Sequence, residues 1–513
     1  MTTSERLRWL RACGVGLLMA LSLALRLPTL GGINFTPDAA EYAGMARRLA
    51  EGHGLTTALK WHFFDHGPVV RPAVVERPIL YPLLGGLVLR LFPEAEPLRA
   101  LQATNAALAA VNTALALAAF HTVVPAPVAW LAAALFVLLP PVTETATLAL
   151  SEQLFLSLWL LALLLLPGVT RPRRAAAFGL VAGLATLARP NGILLFLALP
   201  WLLSPVRRHR NARRATLAAL AASGAVLLPY FLYAWTARAP EMRPAALVNY
   251  AVLHIHQATW HGFGQTIPSP PAFIAGHLGA VAAAIHRKVE ANLAALWVSL
   301  FPLPLLLLLR VHARPADPTR ALCRAWLTLA VASFAFYSLA WVAAGALRYL
   351  LPGTILLLPL LLEHGFRVAR SSPAARGLFC LTLVGAVSLF GAHWQEHQKA
   401  CRYRWNRAAG LPYAQAAKWI EELAGPEDVV ASNNPWEVHY QTCRPAVACP
   451  FFRDRADLTR LRRQFGVRWV LLFAYPRDAR LQLCREHPNA RLVRQTWNQR
   501  GWRAYLFALD GTD

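Results

Sequence analysis

Residues 151–174 read SEQLFLSLWLLALLLLPGVTRPRR. The run from Ser151 to Leu166 is apolar apart from its first three positions and Ser157, and it approaches the roughly 20 residues that cross a hydrocarbon core. An acid, Glu152, stands at its start, and Arg171, Arg173 and Arg174 stand just past its end. Arginines beside a span mark its cytoplasmic end, so Glu152 is expected at the outer end. The stretch therefore reads as a membrane helix with a known direction.

Working outward, the same pattern recurs. Apolar runs cover Trp9 to Leu27, Leu98 to Phe120, Pro127 to Leu139, Ala215 to Trp235, Asn292 to Leu309, Ala321 to Ala343, Leu350 to Leu362 and Gly377 to Ala392. Basic clusters at Arg6 to Arg11, Arg171 to Arg174, Arg207 to Arg214, Arg310 to Arg324 and Arg367 to Arg376 fall at alternate ends of them. Over the 513 residues, 56% hydrophobic and 15% charged is a membrane composition. The net charge of +25 is accounted for by these cytoplasmic clusters rather than by a nucleic-acid groove, so no nucleic-acid partner is expected. One scheme satisfies every cluster: N-terminus inside, about eleven spans, and everything after Ala392 outside. Ala175 to Leu203 must then enter and return, turning at Arg189-Pro-Asn-Gly192, and Ile79 to Phe92 is an interfacial or re-entrant helix on the outer face. Trp9 to Leu27 carries Arg26 and Pro28 instead of a cleavage motif, so it is expected as a retained first helix. Reporter fusions after Arg174, Arg214, Arg320 and Arg370 should report cytoplasm, and fusions after Gly54, His261 and Gly425 should report the outside. An outside signal at any of the four arginine sites breaks the scheme.

The fold class expected is a polytopic α-helical membrane protein with a C-terminal extracytoplasmic α/β domain. Residues 1–392 form the membrane domain, with outer loops 28–78 and 236–291, and residues 393–513 form the α/β domain. In the latter, Pro412 to Leu423 and the helix through Leu458, Leu461 and Phe465, stopped at Gly466, alternate with strands at Asp428 to Ser432, Val467 to Phe473 and Gly501 to Leu509. In the first loop, Thr36 is an N-cap and Pro37 a first helical residue. Tyr42, Met45, Ala46 and Leu49 then make one stripe and Gly52 an end, giving a short amphipathic helix at the membrane surface. Seven cysteines are too few and scattered for a disulfide scaffold. Cys443 and Cys449, close in sequence and on the oxidising side, are expected to pair.

Carboxylates and cations then collect on one face. The first loop opens a helix with Asp38 and Glu41, and Val75-Glu-Arg-Pro-Ile-Leu-Tyr81 brings Glu76, Arg77 and Tyr81 to the same side. Glu144 and Glu152 flank the outer turn between two spans. Arg189 and Arg348 lie at outer ends, against the positive-inside trend, so each calls for an anionic partner, and a lipid phosphate is the obvious one. Tyr349 stands beside Arg348 as a phosphate or sugar contact. A carboxylate that takes an acceptor proton, and fixed positive charge that stabilises a departing phosphate, are the groups glycosyl transfer needs. Nucleotide sugars are cytosolic, so a site on the outer face must draw on a lipid-linked donor.

The motifs Pro-Asp-Ala-Ala-Glu-Tyr at 37–42, Arg-Pro-Ile-Leu-Tyr-Pro-Leu at 77–83, Leu-Ser-Glu-Gln-Leu-Phe at 150–155, Leu-Ala-Arg-Pro-Asn-Gly at 187–192 and Arg-Tyr-Leu-Leu-Pro at 348–352 resemble, in order, the GT-C glycosyltransferases related to protein O-mannosyltransferases and to the lipid A aminoarabinose transferase. The resemblance implies a polyprenyl-phosphate-linked sugar donor and an inverting transfer on the outer face, with Asp38 as the catalytic acid residue. Many relatives carry a second acid directly after the first, whereas here Ala39 follows and Glu41 comes three places on. Glu76 takes the place of a metal-binding Glu, whose partner would be a histidine of the later outer loop, His254, His256 or His261. The resemblance thus also implies a divalent metal.

Together these readings point to an inverting glycosyltransferase of the bacterial inner membrane. It is expected to use a polyprenyl-phosphate sugar lipid and an envelope acceptor, with its active site and C-terminus on the periplasmic side. The rival is a transporter or flippase for lipid-linked saccharides, which would place its ionisable groups near the midplane rather than at outer ends.

Overall fold

The computed structural model describes residues 3–30, 35–61, 63, 67–73, 77–203, 210–237, 275–308, 317–339, 346–409, 412–449, 455–497 and 503–510. The chain forms two compact units, each discontinuous in sequence. One comprises Met1–Gly31, Gln102–Tyr233 and Ala283–Ala400; the other comprises Gly32–Leu101, Ala234–Ala282 and Cys401–Asp513.

The first unit is helical. Among the described residues, 6 helices are long and apolar enough to cross a membrane: Arg8–Leu30, Pro97–Phe120, Asn211–Thr236, Ala321–Leu339, Leu347–Ala369 and Pro373–Cys401. Shorter apolar helices include Ala126–Leu138, Glu152–Gly168 and Pro190–Leu203, so the protein is a multi-pass membrane protein. Leu217, Leu220, Leu381 and Val384 are more than half exposed, as side chains facing lipid must be. Backbone that is not helical needs partners inside such a unit, because hydrocarbon offers none. The stretch between the Pro140–Thr145 and Glu152–Leu165 helices finds them on the Pro97–Phe120 helix. There Asn105 donates to the carbonyls of Leu148 (2.5 Å) and Leu150 (2.8 Å), and Asn112 donates to the carbonyl of Gln153 (3.0 Å). These bonds fix the start of the helix that carries Glu152.

The expected reversal at Arg189 is present. The Pro172–Ala188 helix ends there because Pro190 forces the preceding residue out of the helical region, and Arg189 has φ −155° and ψ 136°. The tight 3₁₀ run Pro190–Ala198 then packs back along that helix. Gly192 makes the turn close enough, since a Cβ on it would stand 2.4 Å from the Thr186 backbone nitrogen.

The second unit is α/β. Its strands are β1 (Thr56–Thr57), β2 (Leu59–Lys60), β3 (Arg71–Pro72), β4 (Val429–Ser432), β5 (Ala446–Ala448), β6 (Val467–Ala474), β7 (Ala490–Trp497) and β8 (Arg503–Leu509). β1 pairs with β3, and the other six form one sheet in the order β2-β5-β4-β6-β8-β7. The β2, β5, β4 and β6 neighbours run parallel, while β8 is antiparallel to β6 and to β7. Val430, Val470, Leu471, Leu472 and Phe507 are almost fully buried, and the Tyr413–Leu423 and Arg455–Phe465 helices add Ile420, Leu458 and Leu461 to the same core. Each such side chain contributes roughly 1.5–3 kcal/mol relative to exposure. Gly466 ends the second helix at φ 67°, a conformation that favours glycine.

Five strands escaped the periodicity reading. β1, β2 and β3 are only two residues long and β5 three, and β7 is an edge strand whose Arg491 and Arg494 break the apolar pattern as edge protection. The Pro37–Ala50 helix also differs from expectation. Thr36 caps it as expected, its hydroxyl accepting from the Ala39 amide at 3.2 Å. Yet Ala39 through Ala46 are all buried, so the helix is enclosed rather than half exposed. The Leu80–Leu91 helix packs on one side, where a Cβ on Gly86 would meet Leu49 at 2.6 Å. The Pro435–Thr442 helix packs on another, where a Cβ on Gly44 would meet His439 Nε2 at 2.9 Å.

The disulfide expectation is corrected. Cys443 and Cys449 are both free. Cys443 follows the Pro435–Thr442 helix in the left-handed conformation, and Cys449 follows β5, so an extended strand lies between them. At about 3.3 Å per strand residue this exceeds the roughly 7 Å between Cα atoms that a disulfide can bridge.

Candidate functional site

In the second unit, one arginine gathers the two carboxylates. Asp38 and Glu41 lie within one turn of the Pro37–Ala50 helix, and Arg77 comes from just before the Leu80–Leu91 helix packed beside it. Arg77 Nη2 is 2.6 Å from Asp38 Oδ1 and 2.8 Å from Glu41 Oε2, and Arg77 Nε also donates to Glu41 Oε2 at 2.8 Å. Trp61 Nε1 donates to the other Glu41 oxygen at 3.3 Å. Burial opposes the charge on Arg77, but Asp38 and Glu41 outweigh it and hold the guanidinium ionised, above its usual range. The two acids are not equivalent. The Glu41 side chain is fully enclosed, whereas that of Asp38 is 30% accessible. Glu41 thus anchors Arg77, and Asp38 meets the surroundings. Arg77 also lies 5.8 Å over the Tyr42 ring, and Tyr42 meets the buried Tyr81 edge to face at 5.2 Å. Tyr81, expected at a phosphate, here packs the wall behind the carboxylates.

The helix behind this cluster carries two buried titratable groups. Burial pushes the Glu437 carboxyl up to about 7, against hydrogen bonds from Tyr413 and Asn434. Burial pushes His439 down to about 4, with Arg47 and Arg48 adding to the effect and the bond to the Arg444 carbonyl opposing it. Between pH 4.5 and 7 the folded chain keeps a proton on Glu437 that the unfolded chain has released, so that contribution is lost as pH rises. Between pH 6.5 and 4 the unfolded chain binds a proton that folded His439 refuses, so that contribution is lost as pH falls. Each is on the order of 3 kcal/mol at most, and they oppose each other. Thermal unfolding should therefore vary little with pH near 5–6 in the natural chain, while Glu437→Gln should lose stability on acidification. A pH profile of Glu437→Gln as flat as the parent's would contradict this.

In the first unit a second cluster forms around Glu152. Arg189 Nη1 is 2.6 Å from Glu152 Oε1, and Arg348 Nε is 4.0 Å from the same oxygen. Arg348 donates to the Tyr349 hydroxyl at 3.1 Å. Tyr349 stacks on Tyr337 with ring centres 5.4 Å apart, and Arg189 bonds the Tyr337 hydroxyl. The guanidinium carbons lie 5.9 Å (Arg189) and 5.0 Å (Arg348) from the Tyr349 ring. Glu152 is buried, and its Oε2 has no hydrogen-bond partner among the described residues. Two guanidinium groups thus converge on one buried carboxylate among apolar helices. A tetrahedral anion is what such a cluster can hold.

The structure thus brings Glu152, Arg189, Arg348 and Tyr349 together. Glu144 lies near the end of the Pro140–Thr145 helix, half-buried, with its carbonyl accepting from Thr147 at 3.1 Å. Glu76, His254, His256 and His261 lie outside the described residues. Among the described residues no group of three or more His, Cys, Asp or Glu comes together as a metal cage. Tyr42, Trp61 and Tyr337 join the clusters without having been read from sequence. Tyr42 falls one helical turn after Asp38 and so could have been found; Trp61 carries no such signal.

The fold, long apolar helices in one unit and an α/β sheet in the other, is shared with solved structures. Among solved structures the chain is similar to ArnT from Cupriavidus metallidurans bound to undecaprenyl phosphate, at 16% identity and a TM-score of 0.60, covering 97% of this chain and 99% of that one. It is similar to the oligosaccharyltransferase AglB from Archaeoglobus fulgidus in complex with an inhibitory peptide and a dolichol-phosphate, at 12% identity and a TM-score of 0.55, covering 97% and 74%. It is also similar to the mycobacterial arabinofuranosyltransferase AftD, at 14% identity and a TM-score of 0.57, covering 99% of this chain and 42% of that one. At these identities the likeness is one of fold. No family model and no curated protein sequence matches the chain.

Proposed function

We propose that this protein is an inverting glycosyltransferase of the bacterial inner membrane. It moves a sugar from a polyprenyl-phosphate donor to an envelope acceptor on the outer face. The observation that carries the reading is the convergence of two half-buried guanidinium groups, Arg189 and Arg348, on the buried Glu152. In the same unit, an apolar cavity of about 160 Å³ is lined by Leu293, Leu327, Val331, Phe334, Leu350 and Leu357, and Leu350 follows Arg348 and Tyr349 directly. Fixed cations beside an apolar cavity match a lipid phosphate and the first part of its hydrocarbon chain. That ArnT was solved with undecaprenyl phosphate and AglB with dolichol-phosphate supports the same donor class.

In this reading Asp38 accepts the proton of the acceptor hydroxyl as the new glycosidic bond forms, and Arg77, anchored by Glu41, holds Asp38 in place. The bond between the anomeric carbon and the phosphate oxygen breaks, and the electron pair leaves with the phosphate. Arg189 and Arg348 stabilise that developing charge. Attack opposite the leaving group inverts the anomeric centre. Outer-face placement is supported by the alternation of arginine clusters along the chain.

The test uses the purified chain in nanodiscs, a radiolabelled polyprenyl-phosphate sugar and extracted envelope acceptors. Label appearing in a new, inverted glycosidic bond supports the assignment. Label crossing a liposome membrane with no new bond would move the protein to the transporter class.

A further inference from the structure

The second unit contains a cavity of about 370 Å³ at the C-terminal half of the Pro37–Ala50 helix, away from Asp38 along that helix. That volume is within the range of small-molecule sites and far exceeds what one phosphate ion fills. Its lining divides chemically. Arg47, Arg48 and Arg444 supply three guanidinium groups, none of which forms an ion pair among the described residues. Arg47 is held by the Tyr440 carbonyl at 3.1 Å and Cys443 Sγ at 2.6 Å, and Arg48 by the Thr56 hydroxyl at 2.9 Å. Arg444 is held by the Ala424 carbonyl at 3.2 Å, and its Nε is buried without a partner. Fixed donors of this kind are preorganised for an oxyanion.

Three of the other lining residues present acceptors, and His53 lies among them, 3.8 Å from Glu51. Glu51 and Glu427 present carboxylates. His439 is 5% exposed, and its Nδ1 lies 2.8 Å from the Arg444 carbonyl, which can only accept. The proton therefore sits on Nδ1, and Nε2 is an acceptor facing Gly44. With His439 neutral at physiological pH, the lining sets three arginines and His53 against two glutamates. Gly44 keeps the space open, because a methyl there would stand 2.9 Å from Nε2.

We propose that this cavity binds a phosphorylated sugar, with the phosphate on Arg47, Arg48 and Arg444 and the ring hydroxyls on Glu51, Glu427 and His439 Nε2. An anion alone would leave the acceptors unused, and a neutral sugar would leave the arginines unused. Assigning that sugar to the envelope acceptor rests on the glycosyl-transfer reading; the binding itself does not.

The experiment is ligand-observed NMR titration of the full chain in phosphatidylcholine nanodiscs with glucose 6-phosphate, inorganic phosphate and glucose. Glucose 6-phosphate should bind at least about tenfold more tightly than either of the others. Arg48→Gln and Arg444→Gln should each weaken it about tenfold, the loss expected for one charge-assisted contact. Should an arginine variant unfold, Glu427→Gln still decides: it should weaken glucose 6-phosphate and leave inorganic phosphate unchanged. Equal affinities for glucose 6-phosphate and phosphate, or unchanged affinity in the folded variants, would overturn the proposal. Adding phosphatidylinositol 4-phosphate to the nanodiscs identifies the source. Competition supports a lipid-borne phosphosugar in this cavity, and its absence supports a soluble or polymer-borne one. Because no donor lipid is present and Asp38→Asn should bind as the parent does, failure of the transfer chemistry and failure of this site are read separately.

Discussion

Asp38→Asn should lower glycosyl transfer by at least about a hundredfold, the usual scale for removing a general base, which corresponds to about 2.7 kcal/mol in the barrier. The substitution is a clean one here. Asparagine keeps an oxygen where Asp38 Oδ1 accepts from Arg77 at 2.6 Å, so the guanidinium keeps that contact. Glu41 continues to offset its charge through two contacts of 2.8 Å. What is lost is proton acceptance at the more accessible of the two acids. Donor affinity should be unchanged, since Asp38 is assigned to the acceptor proton. The measurement is single-turnover transfer from a labelled polyprenyl-phosphate sugar alongside donor binding. Parental turnover in Asp38→Asn removes the residue from the mechanism.

The two arginines around Glu152 should separate in a second experiment. Arg348 is only 4.0 Å from the carboxylate, so Arg348→Ala should leave the fold nearly intact and weaken donor binding about tenfold to a hundredfold, the scale of one charge-assisted contact to phosphate. Arg189 is different. It holds Glu152 at 2.6 Å in a site where the carboxylate is buried, so Arg189→Ala strands a charge and should cost about 3–5 kcal/mol of stability as well as donor affinity. The double change Arg189→Ala with Glu152→Gln should recover much of the stability but none of the affinity. Donor affinity and thermal unfolding of the three variants check this. Recovery of affinity in the double variant would make the cluster structural only, and unaltered donor binding in Arg348→Ala would take that residue out of the donor site.

How far these clusters could be read from sequence depended on whether the signal was local. The cap at Thr36, the proline that ends the helix before Arg189 and the glycine that ends a helix at 466 act on their immediate neighbours, and each appears as expected. Arg348 and Arg189 could be singled out because the arginine clusters assign their ends of the spans to the outside, where a cation runs against the charge bias of membrane proteins. Arg77 could be singled out but its partners could not, because they lie some forty residues upstream and only packing of the Pro37–Ala50 and Leu80–Leu91 helices joins them. The α/β unit was legible where strands are long and apolar, at β6 and β8. It was illegible where a two-residue strand in the first loop is recruited to a sheet whose other members come after residue 428. The disulfide expectation rested on spacing alone and failed because the intervening residues are extended.

That recruited strand bears on the order of assembly during synthesis. β2 pairs with β5, and Arg47 of the acid-bearing helix bonds the carbonyl of Tyr440, 393 residues further along the chain. At about 5–20 residues per second a ribosome needs roughly 20–80 seconds between the two. For that interval the acid-bearing helix lacks the carbonyl that holds Arg47, and β2 lacks its neighbour in the sheet. The nascent protein thus spends most of its synthesis with the Asp38 helix unfinished, and the pairing of its ends is among the last and least local events of folding. A chain released before Tyr440 would carry all 6 of the long apolar helices among the described residues and still lack a completed seat for its first carboxylate.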